Sequence, residues 1–246
     1  MINPEFLPAK SQKVFESLSQ MPIWDDFYIG GGSGLILRFG HRISADFDLF
    51  SPTNRLSSSE RRIIHQLLKK AGKTIVESTR EGSFRVTFED VTIGFFHYDY
   101  PLMAPLEKFG KARPAPIAKK VQEKRISSRL ISKSLNDRCW VKIASLEDIA
   151  LMKIAAIIGR GSKKDFIDTY FILKNGVGLP KLLKLSRKKF SHVRDVAIQA
   201  LQALVYFNDA ESEPMPRMSL PIKWETVKSF FIKEITKFSQ KTLGIN

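Results

Sequence analysis

Apolar positions recur at helical spacing between residues 10 and 20, where Val14, Phe15 and Leu18 fall on one side. A short apolar approach in "DDFYIGGG" then runs into a glycine turn, and "SGLILRFG" has the make-up of a helix with Ser33 near its start and Gly40 as its stop. "SADFDLFS" alternates as a strand does, and Pro52 closes it. "SSSERRIIHQLLKKAG" carries Ile63, Ile64, Leu67, Leu68 and Ala71 at helical spacing, a Ser57/Glu60 capping box and a terminating Gly72. His65 in that helix reads as a surface or structural residue. Residues 73–78, 83–89 and 91–98 read as strands, with a tight "EDV" turn making the last two a hairpin.

From residue 145 the period is helical. Ser145 and Asp148 have capping-box spacing, and "LEDIALMKIAAIIGR" is apolar almost all round, which predicts burial. Lys153 in its middle is the exception, and a buried lysine requires an anionic partner. "KKDFIDTYFIL" starts another helix with Asp165 and Asp168 on one face. A helix over 192–207, a polar loop with three prolines and a last helix from Trp224 to Phe238 complete the pattern. The aromatic stripes of these helices read as core. No internal repeat is visible.

The charge changes the picture. Lysine and arginine number 40 against 25 acids, a net +15 over 246 residues, and the excess favours a polyanionic partner, with plain solubility as the alternative. Residues 108–138 hold ten lysines or arginines against two acids, including Lys119, Lys120, Lys124 and Arg125. A second basic run includes Lys188 and Lys189. Both are candidate nucleic-acid contacts through phosphate, against the alternative of a solvated charged surface. One cysteine, Cys139, allows no internal disulfide and fits a buried thiol in a reducing compartment. The start lacks the layout of a signal peptide and no apolar run has membrane length, so the expectation is a soluble cytoplasmic protein.

Candidate chemistry concentrates in "YIGGGSGLILRFGHRISADFDLF", residues 28–50. The glycine run is neither a Walker loop nor a complete dinucleotide fingerprint. Asp46 and Asp48, two apart on a strand, point to the same side. Their mutual repulsion calls for a cation, and Mg²⁺ (or Mn²⁺) held by one or two carboxylates plus substrate phosphates meets that need. The glycine–serine turn beside them offers backbone N–H groups to those phosphates. Together they describe a metal-assisted attack on a nucleoside triphosphate.

This stretch resembles the first two motifs of the AbiEii/AbiGii toxin family of nucleotidyltransferases, within the DNA polymerase beta-like superfamily. Gly31, Gly32, Ser33, Arg38, Gly40, His41, Arg42, Ser44, Asp46 and Asp48 fall on that pattern. "ASLEDIALMKIAAIIGRGSKKDFIDTYFIL" is similar to its later motifs at Lys153, Asp165 and Asp168, with Lys164 in place of the usual arginine. The resemblance implies an α+β fold. A polymerase-beta-like nucleotidyltransferase core, a mixed sheet with flanking helices, is expected over residues 1–107. A basic segment and a helical domain are expected over 108–246. It implies transfer of a nucleoside monophosphate from a triphosphate to an acceptor, RNA and by preference tRNA, by a toxin paired with an antitoxin protein. The catalytic set would be Asp46, Asp48, Lys153 and Asp165, with the metal on the first two. Lys153 would neutralise the triphosphate and Asp165 would orient Lys153 or Arg42. Gly31, Gly32, Ser33, Arg38 and Arg42 would hold nucleotide phosphate. One departure stands out: "VTIGFFHYDYP" places Gly94 where relatives carry a third carboxylate. Two other readings therefore stay open, a weak or inactive nucleotide- or nucleic-acid-binding protein of the same fold and a transferase acting on protein.

Overall fold

Every second residue of β2 (Phe47–Ser51) is buried in the structure, a computed structural model that describes residues 2–110 and 140–243. Phe47 and Leu49 enter one apolar layer, and Asp48 and Phe50 face the opposite side. β2 lies in the middle of a seven-stranded mixed sheet with β1 (Tyr28–Ile29), β3 (Thr74–Arg80), β4 (Ser83–Phe88), β5 (Val91–His97), β6 (Glu107–Phe109) and β7 (Val141–Ile143). The order is β3-β4-β5-β2-β1-β7-β6. The β2–β5 and β1–β7 pairs are parallel and the other neighbours antiparallel. The sheet does not stop at the expected boundary near residue 107, because β7 comes from beyond it and pairs with β1.

Helices α1 (Ala9–Ser19) and α3 (Ser58–Ala71) cover the Phe47 and Leu49 side through Val14, Phe15, Leu18, Ile64 and Leu68. The expected capping box of α3 is complete, Ser57 accepting the Glu60 N–H and Glu60 accepting the Ser57 N–H. The β4–β5 turn places Glu89 and Asp90 at φ 49° and 62°, as a twist-matched hairpin turn demands. Helix α2 (Gly31–Phe39) follows β1 directly and is apolar on two sides: Ile36 and Leu37 join this core and Leu35 joins the second.

The second core belongs to α4 (Leu146–Arg160), α5 (Lys163–Lys174), α6 (Leu179–Lys189), α7 (Val196–Ala203), α8 (Asn208–Glu211) and α9 (Trp224–Leu243). The aromatic stripes are core, with Phe166 packed against Phe207, Trp224 and Phe231. The helix expected over 192–207 is shorter: Asp195 takes a left-handed φ of 52°, which delays its start to Val196. Helix α6 was hidden in the sequence by its basic residues, and its buried face is Leu179, Leu182, Leu183 and Ser186. The loop with three prolines is a strap. Main-chain bonds from Ile43 to Arg217 and from Ser219 and Leu220 to His41 fix residues 41–43 against the helical half.

One buried ion pair ties the segment after β5 to the helical half. Asp148 accepts hydrogen bonds from the Met103 and Ala104 N–H groups, the Ser145 hydroxyl and the Lys189 ammonium. Lys189 also donates to the Pro101 carbonyl at 2.8 Å and lies over the Tyr98 ring. It is 1% exposed, so its expected place among nucleic-acid contacts is corrected to an internal clamp. Removing one partner of such a pair strands the other charge, which typically costs about 3–5 kcal/mol. Asp148→Ala should lower unfolding free energy by about that amount. Combining Asp148→Leu with Lys189→Met should cost less than the sum of the single changes in urea unfolding; strictly additive costs would contradict a coupled pair.

Candidate active site

The N-terminal turn of α2 abuts β2 because the chain turns through glycine there. Gly31 has φ +55°, and a Cβ on it would lie 3.3 Å from Asp48 Oδ2. A Cβ on Gly32 would lie 2.7 Å from an Arg42 nitrogen. The first intrahelical bond runs from the Gly34 N–H to the Gly30 carbonyl, so the N–H groups of Gly31, Gly32 and Ser33 form the helix's positive end beside Asp48. The Ser33 hydroxyl is turned inward. It donates to the Gly30 carbonyl and accepts the Asp48 N–H, so it braces the turn rather than facing a ligand.

Asp46 is exposed just before β2 and Asp48 is half-buried in it. Burial pushes the Asp48 carboxyl above the ordinary range; Lys153 and Arg85 oppose the shift, Asp46 reinforces it and Lys164 opposes it. Among the described residues no group of three or more His, Cys, Asp or Glu side chains converges as a metal cage. Two carboxylates would suit a hard divalent ion such as Mg²⁺, whose other coordination positions substrate phosphate and water would fill.

Behind Asp48 lies a buried ionic cluster contributed by α4, α5 and the strapped segment 41–43. Asp168 has no exposure; its two oxygens receive the Arg42 guanidinium at 2.7 and 2.8 Å, Oδ1 contacts His41 Nε2 at 2.7 Å, and Oδ2 lies 2.6 Å from Lys153 Nζ. Lys153 Nζ also donates to Asp165 Oδ1 at 2.8 Å, and Arg160 grips both Asp165 oxygens. Burial alone would lower the Lys153 ammonium, but Asp168 and Asp165 outweigh it and hold it above the usual lysine value. Burial would likewise raise both carboxyls. Lys153 and Arg160 hold Asp165 below its ordinary value, and Lys153, Arg42 and His41 hold Asp168 well below. The His41 Nδ1 atom has no partner among the described residues, and Nε2 donates to the ionised Asp168 carboxylate, which can only accept.

These contacts sort the expected residues. Gly31, Gly32, Asp48, Lys153 and Asp165 come together and Asp165 grips Lys153, whereas Asp46, expected on the strand, lies exposed just ahead of it and reaches the group only through its charge on Asp48. Arg42 reaches the glycine turn, but Asp168, not Asp165, orients it. Arg38 does not join them: its guanidinium donates to the Gly34 and Ala144 carbonyls and pairs with Glu107 at 2.9 Å, pinning α2 to the strand edge. Lys188 is exposed on α6, and Lys119, Lys120, Lys124, Arg125 and Cys139 lie outside the described residues. Sequence reasoning does not reach the roles of His41, Asp168 and Arg160. Gly-His-Arg and the three-residue spacing of Asp165 and Asp168 are the available signals for the first two; Arg160, the last residue of α4, reaches Asp165 across the Gly161 C-cap.

Asp168→Asn should destabilise the fold by about 3–5 kcal/mol in urea unfolding, since Arg42 and Lys153 lose a buried counter-charge. The native carboxyl is depressed, so its contribution is complete above the unfolded value near pH 4 and fades as pH falls toward the native one. The variant should therefore show a shallower acid loss of stability than the wild type below about pH 4. Identical acid profiles would contradict the ionic account.

Comparison with known proteins agrees with this geometry. Residues 13–241 match the family described as "Nucleotidyl transferase AbiEii toxin, Type IV TA system". The chain is 30% identical over 234 residues to uncharacterised protein aq_aa25 of Aquifex aeolicus (strain VF5), covering 94% of this chain and 97% of that one. In fold it is similar to MenT4, a nucleotidyltransferase toxin from Mycobacterium tuberculosis H37Rv, with a TM-score of 0.51 at 14% identity over 93% of this chain and 86% of that one. Among the described residues no helix is long and apolar enough to cross a membrane. With a family match spanning almost the whole chain, and a glycine turn, paired aspartates and a charged cluster meeting at one sheet face, the protein belongs to the AbiEii nucleotidyl transferase toxin family.

Proposed function

We propose that the protein transfers a nucleoside monophosphate from a magnesium-bound triphosphate to RNA, with tRNA the favoured acceptor, as the toxin of a pair held in check by an antitoxin protein. The observation that carries the reading is the contact of the α2 N-terminal turn with Asp48 on one side and the Lys153–Asp165–Asp168–Arg42 cluster on the other. Backbone N–H groups of Gly31 and Gly32 bind the outer phosphates at the positive end of α2. Asp46 and Asp48 hold the metal, which when bound supplies charge neutralisation and polarises a phosphoryl oxygen.

Lys153 stays charged because two buried aspartates hold its proton, and those same aspartates fix its ammonium at the edge of the site. Its charge opposes the upward shift of the Asp48 carboxyl, which supports a place for Lys153 beside the substrate in this reading. The cluster behind Asp48 pairs two carboxylates, Asp165 and Asp168, with Lys153, Arg42 and Arg160, and the one positive charge left over is offset by Asp48. Protein charge in that cluster therefore does not offset a polyanionic triphosphate by itself, which favours a divalent ion as its companion. In the transfer the acceptor hydroxyl oxygen forms a bond to the α-phosphorus and gives its proton to water, the bond from the α-phosphorus to the bridging β-phosphate oxygen breaks, and pyrophosphate leaves with that electron pair.

The alternative of a weak transferase or a nucleotide-binding protein has one observation in its favour: glycine, not a carboxylate, stands beside Asp48 in β5. A labelled-triphosphate assay with Mg²⁺ and cellular RNA separates the readings. Asp46→Asn or Asp48→Asn should reduce label transfer at least ~100-fold, as expected when metal-mediated stabilisation is lost. Folding should survive, since each change relieves like-charge repulsion. An active double variant would refute the assignment, and a wild type that binds triphosphate without transferring it would favour the alternative.

A further inference from the structure

Gly94 is directly opposite Asp48 in the parallel β2–β5 register and directly opposite Arg85 in the antiparallel β4–β5 register. Residues paired in register project from the same face, so Asp48, the Gly94 position and Arg85 form a row across three strands, spanning about 10 Å. The space over Gly94 is filled. A Cβ there would lie 2.6 Å from the Phe96 ring and 3.3 Å from Asp48 Oδ1. Phe96 leans back across the glycine, and its ring stacks on Phe50 at 5.3 Å and 27°. The next row of the sheet thus supplies an aromatic floor, Phe50 and Phe96, directly under the gap between Asp48 and Arg85. Phe96 keeps part of its surface exposed, and Arg85 is exposed.

Resting on the transferase reading above, we infer that Arg85, Gly94 and Phe96 form the acceptor subsite, where the terminal nucleotide of an RNA places its base on Phe96 and its phosphate against Arg85. The chemistry of the row supports this occupant. The α2 turn takes one side of Asp48, which leaves the β5–β4 side for the second substrate. A cation and a planar apolar surface side by side match a nucleotide, because every base has a π-face and every linkage a negative charge. A carboxylate at position 94 would set a second negative charge beside Asp48 and displace the ring. Glycine here is the space that lets the platform form.

The test uses purified full-length protein, Mg²⁺, labelled triphosphate and deproteinised cellular RNA, with triphosphate affinity measured separately by calorimetry. Arg85→Gln and Phe96→Leu should each lower kcat/KM for RNA by about tenfold or more, the scale of losing one stacked base or one phosphate contact. Triphosphate affinity should stay within about twofold of wild type, because its phosphates bind on the other side of Asp48. Gly94→Asp should lower RNA transfer rather than raise it. Unchanged RNA kinetics in Arg85→Gln and Phe96→Leu, or a faster Gly94→Asp, would overturn the subsite while leaving the transferase reading intact. Label entering protein instead of RNA would overturn the nucleotide occupant. A wild type that fails to bind triphosphate would overturn the transferase reading, and the subsite with it.

Discussion

Asp168 has no contact with solvent, yet it carries a negative charge that three partners from different parts of the chain stabilise: Arg42 and His41 from the strapped segment after α2, and Lys153 from α4. An ionised carboxylate in that position persists only while those partners stay in place, and each partner in turn depends on it. The cluster therefore fixes the distance between the helical half and the glycine turn. Arg42 presses against Gly32, and Lys153 exerts its field on Asp48. The strap that pairs with residues 41–43 and the Arg160 grip on Asp165 serve the same end. A site assembled this way is set before substrate arrives, which suits a reaction whose catalysis is mostly positioning and charge.

The same constraint explains what surrounds the site. With Asp48 counted, the charges of the cluster cancel, so phosphate is not held by a surplus of protein charge alone. The α2 turn gives dipoles rather than net charge, and Asp46 with Asp48 gives the anionic half of a metal site. Lys189 illustrates the cost of reading charge from a list. It belongs to a basic run along α6, but its ammonium is buried against Asp148, Pro101 and Tyr98 and holds the segment after β5 to the helices.

Much of this was legible in the sequence because local rules and tertiary structure agree. The glycine turn, the strand alternation placing Asp48 opposite Phe47 and Leu49, the Ser57 capping box and the apolar wrapping of Lys153 each have short-range causes. Pairings distant in sequence were not legible. Nothing near Arg38 announces that its guanidinium would be taken by Gly34, Ala144 and Glu107, and nothing near Asp165 and Asp168 says which one meets Arg42. Gly94 could be read only as a missing carboxylate. Its meaning as space for Phe96 depends on the register of β5 with β2 and on ring packing. The basic face of α6 concealed a helix because its period was carried by few apolar residues.

The central claim is that Asp48 couples a divalent ion to triphosphate binding beside a cluster whose charge it balances. Calorimetric titration of a nucleoside triphosphate with and without Mg²⁺, in wild type and in Asp48→Asn, tests it most directly. The account predicts that Mg²⁺ tightens wild-type binding by about tenfold or more, a coupling of about 1.4 kcal/mol, and has little effect on Asp48→Asn. It also predicts that without metal the variant binds no more weakly than wild type, since a repelling charge has been removed. Equal Mg²⁺ enhancement in both proteins would contradict it.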